Sequence, residues 1–298
     1  MDGMMWFGTE QSMRWIPAPR SGAKMEPQDN SNGGVLLNGG GFQQGSWGSH
    51  KLYTFEWSDA SAREAERVIQ AYAHGVYGRG LIHFVDPLYY DMNVAPARLS
   101  APYMTTGSEG SSLVYDNSPQ EVINSGFQAN DLPAYSAQYA LSGATFGFRG
   151  FEDSTFIPIP AGYTLYLGAF YSASAGGGVF YNTVNSDGVT GGTSTKLTAL
   201  ANNAVNVIPD AVPGAPAGVR VWIGRNSSTA STVTFSGLIA RLFKAGETVK
   251  TSGPWTIGEG NSGARFVGKP THVAYNGVGG GQIGYAATLR EVGSWQFG

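Results

Sequence analysis

The sequence reads TFEW at residues 54–57, SDASAREAERVIQAYAHG at 58–75 and GRGLIHFVDP at 78–87. The first and third blocks are short, rich in apolar and aromatic residues, and typical of β-strands. The middle block is typical of an amphipathic helix, because its apolar residues recur three or four positions apart, at Ala65, Val68, Ile69 and Tyr72. Together the blocks predict a strand, a helix and a second strand in an α+β scaffold.

Both ends of the predicted helix carry terminal signals. Ser61 and Glu64 have the spacing of a capping box. Gly75 suits the position after the C-cap, where the backbone turns left-handed, and His74 falls in the last turn, where an imidazole complements the helix dipole. We expect one helix over residues 58–75.

Composition restricts the class of protein. At 298 residues the chain is long enough for two domains, and a 42% hydrophobic fraction permits a real core. Only 13% of residues are charged and the net charge is -3, so we expect no direct binding to nucleic acid. Cysteine is absent, which excludes disulfides and thiolate metal sites. The chain has 44 glycines in 298 residues, about twice the usual fraction of ~7%. This composition is typical of short strands joined by turns.

Targeting signals are not recognisable. Residues 1–10 lack the basic and apolar regions of a Sec signal peptide. No window approaches the ~18 apolar residues of a membrane span. We therefore expect no Sec-dependent export and no membrane span.

The middle of the chain, residues 113–243, reads as short strands between Gly, Asn, Ser and Pro turns. Leu165, Leu167, Ala169 and Tyr171 are expected on one strand face. In a later strand Val219, Val221 and Ile223 are expected on one face, with Arg220 and Trp222 pointing the other way. Gly237 is expected to allow a bulge that re-phases Leu238, Ala240 and Leu242. Strands at this spacing without helices predict a two-sheet β-sandwich of jelly-roll type.

The final segment resembles the first hundred residues in composition more than it resembles the middle. We expect a mainly β protein with one helix, in which both termini build one α+β domain and the sandwich is inserted between them. The expected boundaries are an N-terminal domain at 1–107, a β-sandwich at 108–246 and a C-terminal β segment at 247–298 that packs with the N-terminal domain.

Catalytic and metal sites find little support in the sequence. His50, His74, His83 and His272 lie far apart without metal-ligand spacing, and His83 is interpreted as a hydrogen-bonded structural residue. Glu152, Asp153 and Asp86 invite a glycosidase hypothesis, but adjacent carboxylates in a strand face opposite sides. We expect no enzyme activity, no metal and no cofactor.

Glycan binding is a further hypothesis for the sandwich, since sugars stack on exposed aromatic rings. Trp222 lies between Arg220 and Arg225 and is the best candidate, followed by Tyr171 and Tyr181. The alternative is that Trp222 packs under a loop or against a neighbouring subunit.

Four strings carry a family resemblance: GRGLIHFVDP at 78–87, NVAP at 93–96, GKPT at 268–271 and LREVGSW at 289–295. Together they resemble the minor tail proteins of siphophages that infect actinobacteria, and within that group the distal tail proteins. The likeness covers the first hundred and the last fifty residues, and the middle only as a general sandwich. Ala95 stands where the resemblance leads us to expect a larger aliphatic residue. This difference affects packing and leaves function unaffected.

The resemblance implies a belt-like domain that closes into a hexameric ring at the end of a tail tube, with a galectin-like domain facing outward. The implied partners are copies of the chain itself in a homohexamer ring, the tail tube protein, the tape measure protein and a tail tip or baseplate hub protein. The implied location is the virion tail tip, assembled in the host cytoplasm. The alternative is a virion adhesin that binds host cell-wall glycan.

A ring needs two different patches that meet around an axis. Trp6, Phe7, Trp57 and Trp295 are candidates for such a subunit interface, because aromatic residues are favoured at interface centres. The alternative is that these four side chains fill the core of one subunit.

Overall fold

A computed structural model describes most of the chain. The described residues are 3–20, 24–28, 32–35, 41–44, 50–77, 80–90, 92–96, 100, 111–115, 127–128, 135–141, 156–174, 176–185, 190–199, 206–208, 216–227, 229–248, 253–254, 256, 258–261, 263–275 and 282–292.

Within these ranges the protein is mainly β with one long helix, as predicted. The first third contains β1 (Met4–Thr9), β2 (Ser12–Pro17), β3 (Lys24–Gln28), β4 (Asn32–Val35), β5 (Gly41–Gln44), β6 (His50–Ser58), α1 (Asp59–Ala73), β7 (His83–Val85) and a 3₁₀-helix (Pro87–Tyr89). The middle contains β8 (Ser111–Tyr115), β9 (Phe127–Gln128), β10 (Tyr135–Leu141), β11 (Phe156–Pro158), β12 (Tyr163–Ala173), β13 (Gly177–Asn185), β14 (Thr190–Lys196), β15 (Asn206–Ile208), β16 (Pro216–Arg225) and β17 (Ser231–Lys244). The last part contains β18 (Gly253–Pro254), β19 (Ala264–Phe266), β20 (Thr271–Tyr275) and β21 (Gln282–Glu291).

Helix α1 ends as predicted but begins differently. At its C-terminus Gly75 has φ 73°, and the N–H groups of Gly75 and Val76 donate to the carbonyl oxygens of Tyr72 and Ala71, which is a Schellman motif. At its N-terminus the cap residue is Ser58, without a side-chain capping bond. The predicted capping box is therefore wrong: Ser61 lies inside the first turn, and its hydroxyl donates to the Ser58 carbonyl at 2.6 Å.

Strands from both ends of the sequence share one sheet. It has the order β19-β21-β6-β3, with β20 also pairing β21. Antiparallel β21 and β6 bring Tyr285 opposite Trp57 and Leu289 opposite Tyr53. A second sheet has the order β2-β1-β7, and α1 contacts β2, β6 and β21. We call the elements β1–β3, β6, β7, α1 and β19–β21 the terminal unit.

The middle elements form two antiparallel sheets. One has the order β15-β12-β17-β10-β8 and the other β11-β16-β13-β14. Side chains of both sheets share one buried cluster that includes Leu165, Leu167, Val219, Val221 and Leu238. We call these nine strands the sandwich.

A bulge in β17 sets which residues face the sandwich interior. Phe170 pairs with Gly237 and Tyr171 with Phe235, so the register skips Ser236. Before the bulge Val233 and Phe235 belong to the buried cluster, and after it Leu238, Ala240 and Leu242 do. The predicted re-phasing at Gly237 is confirmed, since one extra residue in a strand switches the inward parity.

The terminal unit has a core that is largely aromatic. Phe55 lies between Trp57, Phe84 and Phe7, with ring centroids 5.8, 5.0 and 6.4 Å away. The indole N–H of Trp57 donates to the Pro17 carbonyl at 2.7 Å, which satisfies its one polar atom. No helix of the described residues is long and apolar enough to cross a membrane.

Candidate functional site: the joint between the two units

Residues 92–96, which we call the joint segment, follow the 3₁₀-helix and run between β17 of the sandwich and residues 258–260. The N–H of Val94 donates to the Ala240 carbonyl at 2.8 Å. On the other side, the N–H of Glu259 donates to the Asn93 carbonyl at 2.8 Å and that of Gly260 to the Ala95 carbonyl at 3.1 Å. The joint segment thus ties together three regions that are far apart in sequence.

Asn93 lies at the centre of this joint. Its side chain is fully buried, with an exposed fraction of 0%. The amide nitrogen donates to the carbonyl oxygens of Leu238 and Thr256, both at 2.9 Å. The amide oxygen accepts from the N–H groups of Ala240 at 2.9 Å and Ala95 at 3.2 Å. Both donors and both acceptor positions of the amide are used, so Asn93 fixes the spacing of the two units without an unpaired polar group.

Two glycines allow the segments to approach closely. A Cβ added to Gly260 would lie 2.0 Å from the Val94 carbonyl oxygen, and one added to Gly258 would lie 2.0 Å from that of Ala95. Both obstacles are backbone atoms that cannot swing aside. The Gly258 N–H donates to the Ser100 hydroxyl oxygen at 2.7 Å. Only glycine fits at either position.

Apolar packing continues across the joint. Trp6 and Val85 of the terminal unit, together with Val94 and Ala95, belong to the buried cluster of the sandwich. The ring of Trp15 bridges Trp6 and Tyr163, with centroid separations of 5.0 and 6.1 Å. The two units therefore share one core instead of meeting at a wet surface.

A charged pair and a buried histidine complete the contact. Glu10, in the turn between β1 and β2, forms an ion pair with Arg220 of the sandwich. Next to it His83 is 1% exposed and packs edge-on against Phe156, with centroids 4.9 Å apart. Its Nε2 lies 3.9 Å from a Glu10 carboxylate oxygen.

His83 is neutral at physiological pH. Burial, and secondarily the positive charge of Arg220, lower its pKa from 6.5 to about 3. Neither ring nitrogen has a hydrogen-bond partner among the described residues. The prediction of a hydrogen-bonded His83 is wrong on this point, because the Glu10 carboxylate oxygen, at 3.9 Å from Nε2, lies beyond hydrogen-bonding distance. His74 is the C-cap residue of α1, as the sequence suggested.

The glycan-binding candidates do not form an exposed platform. Trp222 is 8% exposed and stacks on Phe180 of the neighbouring strand, with centroids 6.5 Å apart. Tyr171 and Tyr181 are half-buried and pack against the sandwich core. The Tyr171 hydroxyl donates to the Leu197 carbonyl, and burial raises its pKa to about 12.

Trp222 is therefore not displayed, which favours the alternative that it packs inside the protein, because both faces of β16 are covered. The two arginines that flank it are also engaged elsewhere: Arg220 pairs with Glu10, and Arg225 is 4% exposed and donates to the Thr229 carbonyl at 3.0 Å.

Three of the four interface candidates fill the core of the chain itself. Trp6, Phe7 and Trp57 are 9%, 1% and 2% exposed, so a partner subunit has almost no access to them. The core interpretation holds for these three, which corrects the interface hypothesis. Trp295 lies outside the described residues.

Of the carboxylates considered for catalysis, the structure describes Asp86. Glu152 and Asp153 lie outside the described residues. Asp86 caps the 3₁₀-helix, where its carboxylate accepts the Leu88 N–H at 3.0 Å. The described part of the chain contains no group of three His, Asp or Glu side chains placed to hold a metal ion.

Sequence reasoning missed the role of Asn93, Gly258 and Gly260. A weak signal existed, because Gly-Glu-Gly at 258–260 places two glycines on the same side of an extended segment. Their partner, the joint segment, lies more than 160 residues earlier, and no local pattern could connect the two.

Comparison with known proteins does not identify a family. No family model, curated protein or solved structure matches this chain.

Proposed function

We propose that this chain is a structural component of a phage tail tip, a distal tail protein that forms a ring between the tail tube and the tip or baseplate. The terminal unit would be the belt-like domain that closes the ring, and the sandwich would be the galectin-like domain that faces outward. Its partners would be further copies of itself, the tail tube protein, the tape measure protein and a hub protein.

The position of the resembling strings supports this proposal. GRGLIHFVDP at 78–87 includes β7 and the start of the 3₁₀-helix, NVAP at 93–96 is most of the joint segment, and LREV at 289–292 ends β21. These three strings lie in parts that connect the units or the two ends of the chain, whereas GKPT at 268–271 lies at the turn before β20. A family likeness concentrated in connecting elements favours a mechanical role.

The joint is the observation that carries the proposal. A ring subunit between tube and tip must transmit load from one domain to the other without hinging. In this chain a shared apolar core, a fully bonded Asn93 and two backbone contacts closed by glycine hold the units in one orientation. Such a joint resists relative motion because any rotation would break buried hydrogen bonds.

Assembly of the purified full-length chain tests the proposal. Negative-stain microscopy and native mass spectrometry should show closed six-fold rings, alone or on the open ends of tail tubes. Antibody labelling should place the chain at the tail tip of intact virions. A monomer at every concentration, with and without tubes, would contradict the proposal, as would absence of the chain from virions.

A further inference from the structure

Polar side chains attach the terminal unit to both sheets of the sandwich. At one sheet the joint segment binds β17 through the amide of Asn93. At the other sheet the attachment is to β11 and β16, where His83 packs on Phe156 and Glu10 forms an ion pair with Arg220. We call the second group of four residues the histidine contact.

Strand β7 places His83 between the two units. Phe84 belongs to the aromatic core of the terminal unit, so the side chains before and after it lie on the opposite face of the strand. On that face Val85 belongs to the buried cluster of the sandwich, and His83 meets Phe156. The residue paired with His83 in β1 is Gly8, which has no side chain. The imidazole is therefore enclosed by the contact of the two units, and it reaches water when they part.

Two charged side chains face the ring, and they have opposite effects on it. Glu10 would favour an imidazolium, but its carboxylate is already paired with Arg220, and its Oε1 lies 3.9 Å from Nε2 of the ring, beyond hydrogen-bonding distance. Arg220 opposes a second positive charge beside it. The other described elements against the ring, which are β1, β7, β11 and Gly263, carry no further ionisable side chain.

A proton on His83 is disfavoured while the units are docked. The ring is buried, and neither nitrogen has a hydrogen-bond partner among the described residues. Burial first, and the charge of Arg220 second, lower the pKa of the docked imidazole to about 3, whereas an imidazole in water titrates near 6.5. Below pH 6.5 the open arrangement therefore binds a proton that the docked one does not, and acid favours opening.

The attachment at Asn93 contains no ionisable group, since its amide is bonded to backbone N–H and carbonyl groups. We propose that the histidine contact is a latch that acid opens: protonation of His83 releases the terminal unit from β11 and β16, while Asn93 still holds it on β17. The units then hinge about the joint segment. Above pH 6.5 the latch is closed and the joint is rigid. This inference does not depend on the proposed ring.

An engineered thiol can report on each attachment separately, because the chain has no cysteine of its own. Val85→Cys places the thiol on the sandwich-facing side of β7, and Val94→Cys places it in the joint segment. Both valines are buried, at 5% and 4% exposure, so a thiol at either position reacts with a pyridyl disulfide reagent only after opening. Each rate on the full chain is divided by the rate of free cysteine at the same pH, which removes the titration of the thiol itself.

The rate at Val85→Cys should rise about 25-fold between pH 7 and pH 5, because the imidazole titrates near 6.5 in the open state and at about 3 in the docked state. At pH 5 this rate should exceed the rate at Val94→Cys by about tenfold or more, since hinging exposes β7 and leaves the joint segment covered. Equal rates at the two thiols would show that the whole chain unfolds, and would overturn the hinge. A rate at Val85→Cys that is the same at both pH values would overturn the latch.

Three further variants, made in the Val85→Cys chain, assign the response to the histidine contact. His83→Leu should reduce the rise in rate to less than about twofold, because the contact then has no imidazole. Arg220→Gln should also reduce the rise, because the Glu10 carboxylate is then free to pair with the imidazolium. His272→Gln removes an exposed histidine elsewhere and should leave the rise at about 25-fold. A full rise in His83→Leu, or a larger rise in Arg220→Gln, would overturn the latch.

Discussion

The side-chain oxygen of Asn93 accepts a hydrogen bond from the backbone N–H of Ala240 at 2.9 Å, although 147 residues separate the two in sequence. The same amide reaches Thr256, 163 residues away. One side chain therefore links the N-terminal strands, the sandwich and the C-terminal segment.

Replacement of Asn93 should weaken the joint specifically. Asn93→Ala leaves the N–H groups of Ala240 and Ala95 buried without partners, which should lower the free energy of unfolding by about 3 kcal/mol. Because the amide couples the units, calorimetry should resolve two unfolding transitions where wild type shows one. Asn226→Ala, at an exposed turn, is the control and should change stability by less than about 0.5 kcal/mol. A single transition at unchanged temperature in Asn93→Ala would contradict this role.

A methyl group at Gly260 should prevent close approach of the joint segment. Gly260→Ala places a Cβ 2.0 Å from the Val94 carbonyl oxygen, so the backbone must shift and the hydrogen bond from Gly260 to Ala95 is strained. We expect a loss of about 2–4 kcal/mol in urea unfolding. Gly80→Ala is the matched control, since its nearest neighbour would be 3.4 Å away. Similar losses in both variants would rule out the steric argument.

Acid should destabilise the joint through His83. The pKa of His83 is about 3 in the folded chain and near 6.5 when unfolded, so between these values the unfolded state binds a proton that the folded state does not. The contribution of neutral His83 to the free energy of unfolding is therefore fully present above pH 6.5, and it is lost as the pH decreases toward 3. Between pH 7 and pH 4.5 the contribution of His83 should be a loss of roughly 2–3 kcal/mol.

The variant His83→Leu isolates this effect. It removes the titrating group and two unpaired nitrogens, so stability at pH 7 should change by about 1 kcal/mol or less. Between pH 7 and pH 4.5 the free energy of unfolding of the variant should fall by roughly 2–3 kcal/mol less than that of wild type. Identical pH dependence in the two proteins would refute the assignment.

Trp222 should contribute to stability and not to sugar recognition. Trp222→Ala removes a buried indole and its stacking on Phe180, which should cost about 3–5 kcal/mol. Val76→Ala, at a side chain that is 70% exposed, is the control and should be nearly neutral. Glycan-array binding that is present in wild type and lost in a stably folded Trp222→Phe variant would count against this interpretation.

Local patterns predicted the elements that local forces form. The 3.6-residue periodicity of Ala65, Ile69 and Tyr72 predicted α1, because these side chains lie on one helix face whatever they pack against. Gly237 predicted the bulge in β17 for a similar reason: a change of parity in the apolar pattern requires an extra residue.

Predictions about exposure were less successful. The alternation of side chains along β16 placed Trp222 on the face opposite Val221. The sequence pattern could not show that the face carrying Trp222 is covered as well. The same limitation applies to Trp6 and Trp57, whose aromatic character suits an interface and a core equally well. Burial depends on which elements meet, and strand periodicity does not contain that information.

The sequence by itself determined the helix, most strands, the bulge and the mainly β class, because each follows from contacts between residues close in the chain or from side-chain parity. Only the tertiary structure decided that Asn93, Gly258 and Gly260 meet and that the ring of His83 is buried without a hydrogen-bond partner among the described residues. These arrangements depend on hydrogen bonds and packing between distant segments, whose free energy exists only once the two units are docked.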